Sequence, residues 1–285
     1  MTGICVVHLV WAPLGVEPFG RFLASYSRTR GGAAHELAVV FNGFGGEGEL
    51  CDYRALLAGV RHREVVLPRP VQDIPAYFAA AARLEHDHLC FVNSHSVPLD
   101  GEWLAKLYEH GRREGVGVVG ATGSWESIYS DFIAEWRRVF TPRPYRGWVG
   151  NERERLRTAR RLRADFEPYP NAHVRTNAFL IPRRVMLGLK GWEVCEKYDA
   201  HRFESGRDGM TAQVRALGLR ALVVGRDGRG YETEEWAESF TFRRGGQHNL
   251  LVSDNQTRAY EESDAATRGR LEEAAWGRGR KPGGA

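Results

Sequence analysis

His88-Leu89-Cys90-Phe91-Val92-Asn93-Ser94-His95-Ser96-Val97-Pro98-Leu99-Asp100-Gly101-Glu102-Trp103-Leu104 is the stretch whose reading decides the fold. Leu89–Val92 is a short continuous apolar run, the pattern of a strand buried on both faces. The polar residues Asn93 to Ser96 end it. Asp100 can then serve as N-cap of a helix over Glu102–Glu114, with Trp103, Leu104, Leu107 and Tyr108 on one face and Gly115 as its stop. A doubly buried strand feeding an amphipathic helix is the repeating unit of an α/β fold with a mostly parallel sheet flanked by helices.

The same alternation extends outward in both directions. Upstream, strands are expected at Ile4–Val10, Glu36–Phe41 and Glu64–Leu67, with helices near Glu17–Arg28, Cys51–Ala58 and Ile74–Glu85. Downstream, Val116–Gly120 reads as a strand. From Trp125 to Tyr169 the pattern loosens into an arginine- and aromatic-rich insertion over the sheet. Between Arg137 and Arg163 it holds ten arginines against two glutamates, Glu152 and Glu154. Ordered structure resumes at Asn171, with a strand at Ala178–Ile181, a helix over Arg207–Leu217 stopped by Gly218, and a strand at Leu219–Val224. The expected organisation is one domain over residues 1–276 with that insertion near 125–170. The glycine-rich basic tail 277–285 reads as disordered. No internal repeat is present.

At 285 residues, with 42% apolar and 11% aromatic content, the chain can bury a sizeable core. Its net charge of +4 demands no nucleic-acid partner. The four cysteines, Cys5, Cys51, Cys90 and Cys195, are widely spaced without a C-x-x-C pair, so they read as reduced thiols rather than a zinc site or a disulfide framework. Met1–Leu14 lacks a basic start and is broken by His8, so it reads as a strand rather than a signal peptide. No stretch is apolar for long enough to span a bilayer. The expected location is cytoplasmic, with membrane contact confined to the periphery.

In an open parallel sheet, ligands bind beyond the carboxyl ends of the strands. Those positions hold Trp11-Ala12-Pro13 after the first strand, Asn42-Gly43-Phe44-Gly45-Gly46 after the second, and Asn93-Ser94-His95-Ser96 after the fourth. The G-x-x-x-x-G-K-[ST] phosphate loop is absent, which argues against a P-loop kinase. Asn93-Ser94-His95-Ser96 alone is also readable as a hydrogen-bonded turn.

The run Leu89–Leu104 resembles the segment of GT-A glycosyltransferases of the family-two type in which a strand ends in an Asp-x-Asp-like motif and a helix follows. Val39-Val40-Phe41-Asn42-Gly43 resembles that family's strand ending at the nucleotide base. Asn177-Ala178-Phe179-Leu180-Ile181-Pro182-Arg183-Arg184 resembles its later acceptor-side strand, and Glu204-Ser205-Gly206-Arg207-Asp208 its acidic motif carrying the catalytic base. The likeness runs in order from Ile4 to Val224. It departs where two aspartates would hold Mg²⁺ or Mn²⁺, because this chain has Asn93 and His95 there. Phe41 and Asn42 replace the aspartate for the base.

The resemblance implies sugar transfer from a nucleotide-sugar to a glycan or other hydroxyl acceptor. A carboxylate would take the acceptor proton, with a divalent metal or cationic side chains on the leaving diphosphate. Asp208 is the first candidate base and Glu204 the second. Trp11, Ala12, Pro13, Phe41, Asn42, Gly43, Asn93, Ser94 and His95 are the donor-binding candidates. His173, Arg175 and Asn177 are those for acceptor or phosphate, and His95 and His248 those for a metal. Gly245–Tyr260 reads either as a lid over the donor or as a connection in which Asp254 or Asn255 caps the next helix. The rival functions are nucleotidyl transfer on a related fold and a pseudoenzyme that binds nucleotide or glycan. The arginine-rich surface also permits peripheral contact with anionic lipid or RNA.

Overall fold

The computed structural model describes residues 3–139, 148–191 and 193–277. The strands are β1 (Ile4–Trp11), β2 (His35–Asn42), β3 (Arg63–Val66), β4 (His88–Val92), β5 (Val97–Pro98), β6 (Val116–Gly120), β7 (Gly123–Ser124), β8 (His173–Val174), β9 (Ala178–Pro182), β10 (Arg220–Val224), β11 (Gly230–Tyr231) and β12 (Val252–Ser253). Eight of them form one sheet in the order β11-β10-β6-β9-β4-β1-β2-β3. Strands β3, β2, β1, β4, β6 and β10 share one direction, and β9 and β11 run against it.

The helices are α1 (Glu17–Thr29), α2 (Cys51–Leu56), α3 (Asp73–Arg83), α4 (Trp103–Gly111), α5 (Ile128–Val139), α6 (Trp148–Asp165), α7 (Arg183–Gly188), α8 (Lys197–Ser205), α9 (Met210–Ala216), α10 (Asn255–Glu262) and α11 (Ala265–Trp276). They cover the sheet on both sides. Because successive strand residues point to opposite faces, β1 divides its side chains between two cores. Cys5, Val7 and Leu9 pack with Tyr77 and Phe78 of α3, Met186 of α7 and Met210 of α9. Ile4, Val6 and Val10 pack with Phe19 and Phe22 of α1, Tyr53 of α2 and Trp103, Leu104 and Leu107 of α4. This double burial is why the strands read as unbroken apolar runs.

Local structure departs from the sequence expectation at identifiable places. The fourth helix starts at Trp103 with Glu102 in the cap position. Asp100 lies just outside it, accepting hydrogen bonds from the Glu102 amide and Lys106 Nζ, both at 2.9 Å. The helix expected over Arg207–Leu217 is the shorter α9. A further helix, α8, precedes it with a Glu196/Asp199 capping box that the sequence reading did not single out. Among the described residues of the 125–170 insertion, α5 and α6 pack together, and Phe166 joins Gly206 in an isolated bridge. Residues 140–147, and the tail beyond Gly277, lie outside the described residues.

Of the two readings of Gly245–Tyr260, the connection that caps the next helix is the one the structure shows. Asp254 caps α10, accepting the Thr257 amide at 2.8 Å. At the same time β12 pairs antiparallel with β5, Val252 opposite Pro98 and Ser253 opposite Val97. The segment is clamped by an ion pair between Arg175 Nη2 and Asp254 Oδ2 at 2.7 Å, with Asp254 fully buried and Arg175 nearly so.

Two predictions follow from this packing. His8 is fully buried and stacked on Phe22 at 3.6 Å. Burial lowers its pKa to about 3. The unfolded chain therefore binds a proton near pH 6.5 that the folded protein refuses, so stability is full above that value and falls as pH drops toward 3. Urea unfolding of the wild type should lose about 1.4 kcal/mol per pH unit below pH 6 from this group, and His8→Phe should flatten that limb. Arg175→Met leaves Asp254 buried without its counter-ion and should cost about 3–5 kcal/mol in denaturant unfolding. A cost below about 1 kcal/mol would show that the pair is not the anchor of the C-terminal segment.

Candidate functional site at the carboxyl edge of the sheet

The six strands of common direction end on one edge, and the antiparallel β9 begins there, after Asn177. Along this edge chain order reverses between β1 and β4, since β2 and β3 lie on one side of β1 and β4 on the other. A reversal of this kind opens a crevice, because the two connections leave in opposite directions. Trp11 and the Asn93–Ser96 turn stand at its two lips. Ser94 Oγ bridges them with a 2.8 Å hydrogen bond to the Leu9 carbonyl.

The donor candidates divide into surface and scaffold. Trp11 and Ala12 are half-buried and Pro13 is exposed. The Trp11 ring lies over Gly43, which has φ +84°, and a Cβ there would sit 2.7 Å from the indole. Only glycine meets both conditions. Asn42 is buried and its amide is engaged with both the N–H and the carbonyl of Val71, at 3.1 and 2.8 Å. Phe41 is fully buried among Phe19, Phe44 and Tyr53. Both act as scaffold, and the expectation that Phe41 faces a donor is corrected by its complete enclosure.

Asn93 also has its side chain engaged. Its Oδ1 accepts from the His95 backbone N–H at 3.0 Å and from Ser96 Oγ at 2.8 Å, while the Asn93 backbone N–H donates to the Asn177 carbonyl at 2.9 Å. His95 is half-buried, and burial together with the Arg258 guanidinium holds its imidazole below the usual pKa. Arg258 reaches this turn from α10, donating from Nη2 to the His95 carbonyl at 3.1 Å.

Next to the turn lies a network of buried charge. Arg175 donates to Asp254 and, at 3.3 Å, to Thr122 Oγ1, and its guanidinium lies 4.1 Å from the centre of the Phe242 ring. Thr122 in turn donates to Asn177 Oδ1 at 2.7 Å. Glu204 Oε2 accepts both the amide and the hydroxyl of Thr176, at 2.7 and 2.5 Å. Burial pushes the Glu204 carboxyl up, but Arg175, His173 and the two Thr176 bonds outweigh it and hold the group below the usual carboxylate range. His173 is buried behind it, with Nδ1 2.8 Å from the Asn171 carbonyl and a pKa lowered by burial. Asn177 keeps its Nδ2 buried without a partner.

Arg175, Asn177, Glu204 and the Asn93–His95 turn are thus brought together, and Asp208 is not. Its side chain is 67% exposed, 3.4 Å from Arg202, and lines a separate cavity of about 550 Å³ with Leu189, Val194, Asp199 and Phe203. His248 is likewise exposed, its ring over Phe240 and its Nδ1 3.0 Å from the Gly245 carbonyl. Among the described residues no group of three or more His, Cys, Asp or Glu side chains could hold a metal ion. With the Asn93 oxygen occupied and no carboxylate on the turn, this donor set does not fit a hard divalent cation. Thr122, Thr176 and Arg258 carry no sequence signal for their roles, and Asp254 carries one only as a helix cap; Arg175 and Asp254 meet across 79 positions.

On α6, Arg153, Arg157, Arg160, Arg161 and Arg163 are exposed, with Arg161 over Tyr198 at 3.9 Å and Arg163 over Tyr129 at 5.3 Å. No helix among the described residues is long and apolar enough to cross a membrane.

No protein-family model matches this chain, and no curated protein matches it. Among solved structures it is similar to glucosyl-3-phosphoglycerate synthase from Mycobacterium tuberculosis in complex with Mn²⁺, UDP and phosphoglyceric acid, at 16% identity over 75% of this chain and 62% of that one, TM-score 0.41. It is similar to a mannosyltransferase from Pyrobaculum calidifontis in complex with GDP-Man and Mn²⁺, at 16% identity over 95% and 68%, TM-score 0.46. It is also similar to 4-diphosphocytidyl-2C-methyl-D-erythritol synthase from Anaerococcus prevotii, at 11% identity over 78% and 88%, TM-score 0.46. The chain spans less than two thirds of the length of the mycobacterial synthase. Likeness at this level assigns no substrate and no residue role.

Proposed function

We propose that this protein is a glycosyltransferase of GT-A type that moves a sugar from a nucleotide-sugar to a hydroxyl acceptor, with Glu204 as the base. The observation that carries the reading is the state of Glu204 at the carboxyl edge. One oxygen is pinned by Thr176, whose neighbour Asn177 bonds the Asn93 turn, and among the described residues Oε1 has no hydrogen-bond partner. An ionised carboxylate with one fixed and one open oxygen, beside the crevice between β1 and β4, is placed to accept a proton from a bound hydroxyl. The acceptor oxygen then attacks the anomeric carbon of the donor as the bond to the diphosphate breaks. Trp11, stacked over Gly43, offers an aromatic face to the nucleoside or sugar.

Arg175 serves Glu204 at a distance. Its positive charge keeps the carboxylate ionised although burial opposes this, and its bond to Asp254 ties the C-terminal segment to the edge. A second reading, a nucleotide- or glycan-binding protein without turnover, is favoured by Asn93 and His95 standing where carboxylates were expected.

Screening the protein by thermal unfolding against UDP-, GDP-, dTDP- and CMP-sugars should raise Tm with one of them, since a ligand selective for the native state stabilises it. Glu204→Gln should then lower transfer by about 100-fold or more while leaving the nucleotide Kd within about twofold. Asp208→Asn, altering an exposed group, should retain most activity. The reverse outcome for these two variants would move the base to Asp208. Donor binding with no transfer in the wild type would favour the non-catalytic reading.

A further inference from the structure

We infer that the diphosphate of the nucleotide is neutralised by Arg258 rather than by a divalent cation, an inference that rests on the glycosyltransferase reading. A nucleoside diphosphate brings at least two negative charges to the Asn93–Ser96 turn, and something of opposite sign must meet them. The turn offers no carboxylate through which a metal could be held. Asn93 Oδ1 already accepts two hydrogen bonds from His95 and Ser96; Asp254 and Asp73 lie near enough to His95 to act on its charge, but among the described residues no group of three or more His, Cys, Asp or Glu side chains could hold a metal ion.

The positive charge comes from the other direction. Arg258 lies in the second turn of α10, and α10 is held at the edge by the Arg175–Asp254 pair and by the β12–β5 ladder. Its guanidinium donates from Nη2 to the His95 carbonyl and from Nη1 to Ser253 Oγ at 3.4 Å. No carboxylate pairs with it among the described residues, and the side chain is half-buried. The remaining N–H groups of the fork stay free, in the planar geometry that matches two phosphate oxygens.

A second donor lies beside the turn, just before β9. Asn177, whose carbonyl accepts from Asn93 and Ser96, keeps Nδ2 buried without a partner. An unmet buried donor costs about 1–3 kcal/mol, a cost that a bound acceptor oxygen would remove. Arg258 and Asn177 together supply charge and hydrogen bonds to an anion at the end of β4. The substitution of Asn and His for acidic residues then has a physical sense, because carboxylates at these positions would repel a diphosphate that no metal screens.

The test is calorimetric titration of the full chain with UDP, GDP, dTDP and CDP, each in EDTA and in millimolar Mn²⁺ or Mg²⁺. The expected result is that one nucleotide binds with a Kd unchanged within about twofold between the two conditions. Arg258→Gln should weaken that Kd by about tenfold or more, while Arg258→Lys recovers part of the loss. Thermal unfolding of each variant checks that it is folded. Binding seen only with metal, or a folded Arg258→Gln with wild-type affinity, overturns the inference and leaves the glycosyltransferase reading standing. No binding of any nucleotide under either condition overturns both.

Discussion

The buried ion pair between Arg175 and Asp254 is the contact on which the arrangement of the edge depends. Removing two charges from water is costly, and the cost is offset only when each charge is paired and its remaining valences are bonded. Both conditions hold here. Asp254 also caps α10 through Thr257, and Arg175 also bonds Thr122 and lies against Phe242. The consequence is geometric: a segment more than seventy residues downstream of Arg175 is held against the end of β4, and Arg258 arrives beside His95.

The same pair sets the electrostatics. Glu204 would be driven toward its protonated form by burial alone, but Arg175 and His173 reverse the direction. A carboxylate held below its usual pKa stays ionised and so is able to accept a proton from a bound ligand, although the charges that hold it there also lower its basicity. Asp208, open to water and beside Arg202, has no such setting. The contrast between two acidic residues four positions apart arises from which side of α8 and its following loop each occupies.

Much of the fold was legible in advance. The apolar runs Ile4–Val10, Leu89–Val92 and Ala178–Ile181, each flanked by helical periodicity or polar turns, specify doubly buried strands, and double burial requires helices on both faces. The antiparallel sense of β9 was not legible, because direction is set by the length and path of the connection before it rather than by the composition of the strand. Helix α8 escaped notice since its core-facing positions are few, with Phe203 its one large buried apolar side chain.

The candidate site was legible in part. Which residues leave the ends of the strands follows from strand position alone, so Trp11, Asn42, Asn93, His95 and Asn177 could be named from the chain. What each does there could not. Asn42 and Phe41 are scaffold, Glu204 faces the edge while Asp208 faces away, and Arg258 joins the site from a helix far along the sequence. Sequence by itself determined the layers, the buried faces and the rim, because hydrophobic periodicity is a local property. Only the tertiary structure decided which charges meet, because pairing across 79 positions depends on how the whole chain closes and leaves no local pattern behind.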